Sequence, residues 1–276
     1  DRNRASLEQL TDGRLAVHSS SGGSAVEQRR DGDFLNKAER YTRSDEFLTV
    51  LKQSLASSQP YDHQGQFYQA EQAFSAIKPL QKKLPIYFGG SSAEAIDVAA
   101  RHADVFALWG EPLKGAQETV RNVRAAAAKQ GRDIDFNISF RPIIGKTEQE
   151  AWERAEHIRE LAEKQLRETG FAFGKPKPQS VGAQRLLAAA NEGDRLDKVL
   201  WTGIAKLVQG GYNSTALVGT ADQVSDALLE YYRLDIHSVL IRGFDPLNDA
   251  VEYGEQLIPL TREKVAALDV AEKRSA

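Results

Sequence analysis

Short apolar runs and longer amphipathic stretches alternate along most of this chain. Residues 5–10 read as the end of a helix closed by the turn Thr11-Asp12-Gly13, and RLAVHSS (14–20) reads as a strand that stops at Gly22-Gly23. A long polar connection (21–34) leads to Asn36, which with Glu39 has the spacing of a capping box. The helix it opens sets Phe47, Val50, Leu51 and Leu55 on one face. Residues 61–70 read as a small hairpin around Gly65. From there the rhythm is regular. PIYF (85–88) precedes a helical pattern over 92–102, and DVFAL (104–108) precedes one over 113–130. IDFNISFRPII (134–144) precedes one over 148–167, opened by a second capping-box pair, Thr147 and Glu150. HSVLIRG (237–243) precedes one over 247–260. This alternation predicts βα units, a parallel sheet covered by helices, and right-handed crossovers.

Residues 169–215 break the rhythm. They hold seven glycines, a GKPKPQS tract, one clear helix over 181–191 and a second helical piece over 197–208. An irregular insertion of that length between βα units reads as a lid or binding loop. After it, Thr220 is a natural N-cap, and Val224, Ala227, Leu228 and Tyr231 form the buried stripe of the next helix. The pattern yields five strands, where a closed (β/α)8 barrel needs eight. The sheet is then either open or part of a barrel whose first three βα units lie outside this sequence. A first helix that starts in its middle favours the second expectation: a single TIM-barrel domain over 1–276, represented in part, with 169–215 as its insertion.

Composition excludes more than it selects. Of 276 residues, 41% are apolar and 27% charged, the mix of a globular domain with a core. A net charge of −3 gives no footprint for nucleic acid or an anionic membrane. No run approaches the roughly 18 apolar residues of a spanning helix, and no signal-peptide pattern is visible. The absence of cysteine removes disulfides, thiolate metal sites and cysteine nucleophiles, and suits a reducing cytoplasm. Methionine is also absent, even at residue 1, which suggests a natural N-terminus beyond this sequence.

Candidate chemistry gathers at the carboxyl ends of the strands, where α/β folds bind ligands. In LPIYFGGSSAEA (84–95), Gly89-Gly90 permits close backbone approach, Ser91 and Ser92 offer hydroxyls, and the following helix start favours an anion. Ser91 and Glu94 also have capping-box spacing, so cap and phosphate site remain equal readings of the residues. Along 134–144, period two puts Phe136, Ile138 and Phe140 on one face and Asn137, Ser139 and Arg141 on the other. Inside a barrel, Arg141 becomes either an anion binder or half of an ion pair near the rim. Trp109 ends another strand, where its indole would flank a flat ligand or close the barrel top. Arg242 and Asp245 have the spacing of a local pair. His63, His102 and His157 read as structural or solvated, and no spacing suggests a metal site.

Taken together, DGRLAVHSSSGG, DGDFLNKAERY, LPIYFGGSSAEA, ADVFALWGEP, QSVGAQRLLA, NSTALVGTADQV and HSVLIRGFDPLNDAVEYGEQLIPL resemble the bacterial luciferase-like flavin monooxygenases, nearest to the alkanesulfonate monooxygenase branch. The resemblance implies a (β/α)8 barrel and reduced FMN supplied by a separate NAD(P)H:flavin reductase. It implies O2 activation as a C4a-peroxyflavin and oxidation of a small organosulfur substrate. It puts the FMN phosphate at Gly90, Ser91 and Ser92 with Tyr41 nearby, the isoalloxazine along Ser21 and Gly22, the lid at 169–215, and a homo-oligomer. The chain departs from the alkanesulfonate pattern where that branch has an arginine and a histidine, here Ser139 and Arg141, and where a lid arginine aligns with Gln209. Those exchanges point to a less charged substrate such as a sulfone. Two other classes stay open: a flavin-binding protein without turnover, and an oxidoreductase using the deazaflavin F420 on the same fold.

Overall fold

In the computed structural model, which describes residues 2–170 and 178–275, the chain divides into two compact units. One comprises residues 1–107 with 122–134, the other 108–121 with 135–276.

The first unit runs α1 (Arg2–Leu10), β1 (Val17–Ser19), α2 (Ala25–Arg30), α3 (Lys37–Ala56), β2 (Tyr61–Gln64), β3 (Gln69–Ala73), β4 (Ile86–Gly89), α4 (Ala93–His102) and the start of β5 (Val105–Trp109). The unit boundary falls within β5 and within α5 (Leu113–Lys129). β1, β4 and β5 pair in parallel, with Val17 opposite Ile86 and Tyr87 opposite Val105. The Asn36 capping box forms as its spacing predicts, the Glu39 carboxylate accepting from Asn36 N–H at 2.7 Å. Leu48, Leu51, Phe88, Ala95 and Ala99 are fully buried. Three carboxylates fasten irregular segments by accepting backbone N–H bonds. Glu8 takes those of Leu80 and Gln81, Glu46 those of Phe67 and Tyr68, and Asp104 that of Ile86. Glu46 also bonds His63 of the hairpin at 3.1 Å, and Asp45 bonds His102 at 2.7 Å, so both histidines are structural.

The second unit continues with β6 (Asp135–Ile144), α6 (Glu148–Thr169), α7 (Val181–Glu192), the hairpin β7 (Arg195–Leu196)/β8 (Leu200–Trp201) and α8 (Gly203–Leu207). It ends with β9 (Ala216–Gly219), α9 (Ala221–Tyr232), β10 (Ser238–Ile241), α10 (Pro246–Glu252), a π-helical turn (Tyr253–Leu257) and α11 (Ile258–Ser275). β6 is long enough to be shared between β10 and β9, each parallel to it. Asn137–Phe140 pair with β10 and Arg141–Ile144 pair with β9. Its Ile143 joins a core with Ala151, Trp152, Ala155, Trp201, Ile204, Ala216 and Val218. The expected stripe of α9 is buried at Val224, Leu228 and Tyr231, with Ala227 at its margin.

Several elements differ from the sequence reading. β9 is a parallel strand the pattern did not yield, because four residues ending at a helix cap read as the approach to that helix. The helix expected over 197–208 is a hairpin followed by five helical residues. Asp197 and Lys198 take positive φ, 45° and 67°, and turn the chain back. α2 interrupts the polar connection, capped by Ser24, with none of its residues buried. The final helix runs through a π-turn rather than ending at 260. Part of the GKPKPQS tract lies outside the described residues.

Candidate active site

Two groups of residues, one in each unit, carry the candidate chemistry. In the first unit, β4 ends at Gly89 and α4 begins at Ala93, so the GGSS turn joins strand end to helix start. Gly90 has φ 138°, a conformation that favours glycine, and a Cβ there would lie 2.8 Å from Ala95 Cβ and 3.2 Å from Tyr41 Oη. The turn is a backbone cradle that any side chain would fill, with the Tyr41 phenol against it. The cap belongs to Ser92 and not to Ser91: Ser92 Oγ accepts from Ala95 N–H at 3.4 Å. The predicted Ser91–Glu94 box does not form, because the helix starts one residue later than that spacing assumes. The Ser91 hydroxyl makes no hydrogen bond within the described residues. Glu94 lies 3.7 Å from Lys37, and its carboxyl is held below the usual range, first by the Ser92 hydroxyl. Ser21 Oγ bonds Ser44 Oγ at 2.8 Å, and Gly22 has φ 78°. These residues fit the demands of a phosphate: a side-chain-free backbone, a free hydroxyl, a phenol and a helix start.

In the second unit, Arg141 stands where β6 changes partner. Its own N–H bonds Thr215 O at the entrance to β9, while Arg242 N–H bonds Phe140 O at the exit from β10. Its guanidinium donates from Nε to Asn213 O (3.3 Å) and from Nη1 to Gly243 O (3.1 Å), and lies 5.0 Å from the Phe244 ring centre. The ion pair offered as the alternative does not form: Arg141 meets no carboxylate among the described residues. Burial, and then the charge of Arg242, push its pKa below the ordinary arginine value. The Arg242–Asp245 pair does not form either. Arg242 donates to Tyr212 O at 2.8 Å, and Asp245 caps α10 through Asn248 N–H.

Ser139 is buried, and its hydroxyl accepts from the Asn213 side-chain amide. Trp109, half-buried, precedes Gly110, whose N–H donates to Asn213 Oδ1 (3.2 Å) and whose carbonyl accepts from Thr215 Oγ1 (2.7 Å). Asn213 opens the NSTALVG stretch, and period and capping patterns do not mark it as a site residue. The available signal is an asparagine two residues after the Gly210-Gly211 pair, in a segment where left-handed backbone is expected. Glu111, also buried, is held by Arg185 of α7 through three contacts of 2.6–3.0 Å.

Parallel strands, each leading into a helix, define an α/β protein of the barrel type. The family follows from the sequence match. Residues 2–238 fit the luciferase-like monooxygenase model, and the chain belongs to that family. Similar solved structures share its (β/α)8 fold. Riboflavin lyase (RcaE), solved with modified FMN and riboflavin, is 20% identical with a TM-score of 0.75, and the match covers 95% of this chain and 66% of that one. EDTA monooxygenase (EmoA) from Chelativorans sp. BNC1 is 20% identical with a TM-score of 0.73, covering 95% and 69%. An F420-dependent secondary alcohol dehydrogenase in complex with an F420-acetone adduct is 15% identical with a TM-score of 0.66, covering 94% and 73%. The chain thus spans about two thirds of the length of the first of these. No helix among the described residues is long and apolar enough to cross a membrane.

Proposed function

We propose that this chain forms the binding barrel of a two-component monooxygenase that uses reduced FMN and O2 to oxidise a small organosulfur compound, sulfone-like or alkanesulfonate-like. Bound reduced FMN supplies the activation of O2. The chain's tasks are to hold it, to keep water out and to present the substrate. The reading rests chiefly on the Gly90 cradle, with its unbonded Ser91 hydroxyl and the Tyr41 phenol at the start of α4. In this reading Gly90, Ser91 and Tyr41 receive the phosphate and Ser92 orders the helix start behind them. Ser21 and Gly22 of the first unit are assigned to the ring system, and Trp109 of the second is a further candidate cofactor contact.

Arg141 supports the substrate side. Two of its five N–H groups are engaged by carbonyls, and no carboxylate among the described residues neutralises it. A half-buried guanidinium in that state suits sulfonyl or sulfonate oxygens. Ser139, already bonded to Asn213, shapes this site rather than reacting in it. Residues 169–215 act as the lid. Reduced FMN comes from a separate NAD(P)H:flavin reductase, and the working form is a homo-oligomer.

The test is to titrate the protein with FMN and with deazaflavin F420, then assay O2-dependent product from dimethyl sulfone and methanesulfonate beside a flavin reductase. Preference for FMN with product from either compound is expected. FMN binding without product from a broad organosulfur panel identifies a non-catalytic flavin protein, and preference for F420 an oxidoreductase of that type. Arg141→Ala should raise the substrate KM about tenfold or more while leaving the FMN Kd within about twofold; equal losses in both would remove Arg141 from the substrate side.

A further inference from the structure

Asn213 is 4% exposed, and every polar group of its side chain is in use. Oδ1 accepts from Gly110 N–H at 3.2 Å, and Nδ2 donates to Ser139 Oγ. Its backbone carbonyl accepts from Arg141 Nε at 3.3 Å. Its φ is 48°, the left-handed region, directly after Tyr212 at 62°. One residue therefore ties the end of β5, the middle of β6 and the entrance to β9. It also carries the carbonyl that sets the tilt of the Arg141 guanidinium.

Residue chemistry explains why asparagine stands here. The position needs an acceptor and a donor on one short side chain, and a backbone that tolerates positive φ. Aspartate lacks the donor, glutamine is one methylene too long, and serine cannot reach both partners. The second anchor of Arg141, Gly243 O at 3.1 Å, lies at the exit of β10. With Nε and one Nη1 hydrogen committed, the guanidinium plane is fixed and its remaining donors keep one direction. Arg242 bonds Tyr212 O, so the same left-handed turn also holds the second cation near Arg141.

We propose that Asn213 is the positioning residue of this site, fixing Arg141 as a donor fork for the oxygens of a sulfonyl or sulfonate group. The proposal rests on the substrate reading given for Arg141. Its test is arranged so that a failure of either can be told apart.

The experiment compares the wild-type protein with Asn213→Gly, which keeps the left-handed backbone but removes both side-chain bonds, and with Asn213→Asp, which keeps the acceptor and loses the donor. Arginine Nε–H signals are followed by 15N NMR, Arg141 being assigned through Arg141→Lys. The expected result is a slowly exchanging Arg141 Nε–H in the wild type, with exchange at least about tenfold faster in Asn213→Gly. In the same variant, binding of dimethyl sulfone or methanesulfonate should weaken about tenfold while FMN affinity stays within about twofold. Asn213→Asp should show the same direction, and it serves if the glycine variant does not fold. The two probes separate a neutral sulfonyl ligand from an anionic one. Unchanged Arg141 exchange in both variants, even with a lowered Tm, would overturn the positioning role. So would a wild-type Arg141 Nε–H that already exchanges at the solvent rate. A wild type that holds Arg141 as expected but binds neither FMN nor either probe leaves the positioning of Arg141 standing and overturns its assignment to a substrate.

Discussion

Ser91 and Ser92 divide two tasks that the sequence assigned to either. Ser92 caps α4, and Ser91 is left with a free hydroxyl beside the Gly90 cradle. Ser92→Ala should cost about 1 kcal/mol of stability in a denaturant melt and leave FMN affinity nearly unchanged. Ser91→Ala should do the reverse, weakening FMN several-fold in a fluorescence titration with an unshifted melt. The opposite pairing of effects would return the cap to Ser91. Lys52 of α3 makes a pH prediction. Burial, and next the charge of Arg132, push its pKa down to about 8, while Asp104 pulls it up and Lys83 pushes it further down. A lysine whose folded pKa lies below its unfolded one destabilises the fold fully below pH ~8, and the penalty fades as pH rises toward ~10.4. Lys52→Met should therefore stabilise the protein at pH 7 by about 1 kcal/mol, after allowance for solvent screening. Urea melts at pH 7 and pH 10 should show that gain shrinking. A gain that grows with pH would contradict the assignment.

Among the elements, β6 and α7 carry the connections that matter for the site. Period two in IDFNISFRPII located β6: Phe136, Ile138 and Phe140 are buried, Asn137 and Arg141 are half-buried, and Ser139 is buried with the apolar set. The fork itself was not legible, since nothing local says that β6 will pair with β10 along one half and β9 along the other. The insertion is fastened by a contact of the same non-local kind. Arg185 of α7 grips buried Glu111 and also donates to Gly115 O and Thr119 Oγ1 at the start of α5. Its pKa is raised, first by the hydrogen bond to Glu111. Removing one partner leaves the other charge without compensation, so Arg185→Met should destabilise by about 3 kcal/mol. The double variant Arg185→Met/Glu111→Leu should recover much of that loss. Equal destabilisation in both would show that the pair does not act as a unit.

For the whole molecule, exchange protection should follow this wiring. Amides of β6, paired from Asn137 to Ile144, should exchange among the slowest in their unit, and those of α2, which buries no residue, among the fastest in theirs. Hydrogen exchange read by mass spectrometry checks the ranking, and rapid exchange over 136–141 would refute it. The alternating periods determined the βα architecture and most helix starts, because period, capping and turn chemistry are written in neighbouring residues, and the resemblance of its motifs indicated the family. Asn36, Thr147 and Thr220 cap their helices as their spacing says. Composition likewise left no cysteine chemistry to consider. What only the tertiary structure decided lies between residues far apart in the chain. It includes which serine caps α4 at the GGSS turn, that among the described residues Arg141 meets carbonyls and no carboxylate, and that Asn213 joins three strands. The physical reason is that a short polar side chain is satisfied by whichever donor or acceptor the fold brings within about 3 Å, and a sequence pattern records a residue's own period but not the identity of that distant neighbour.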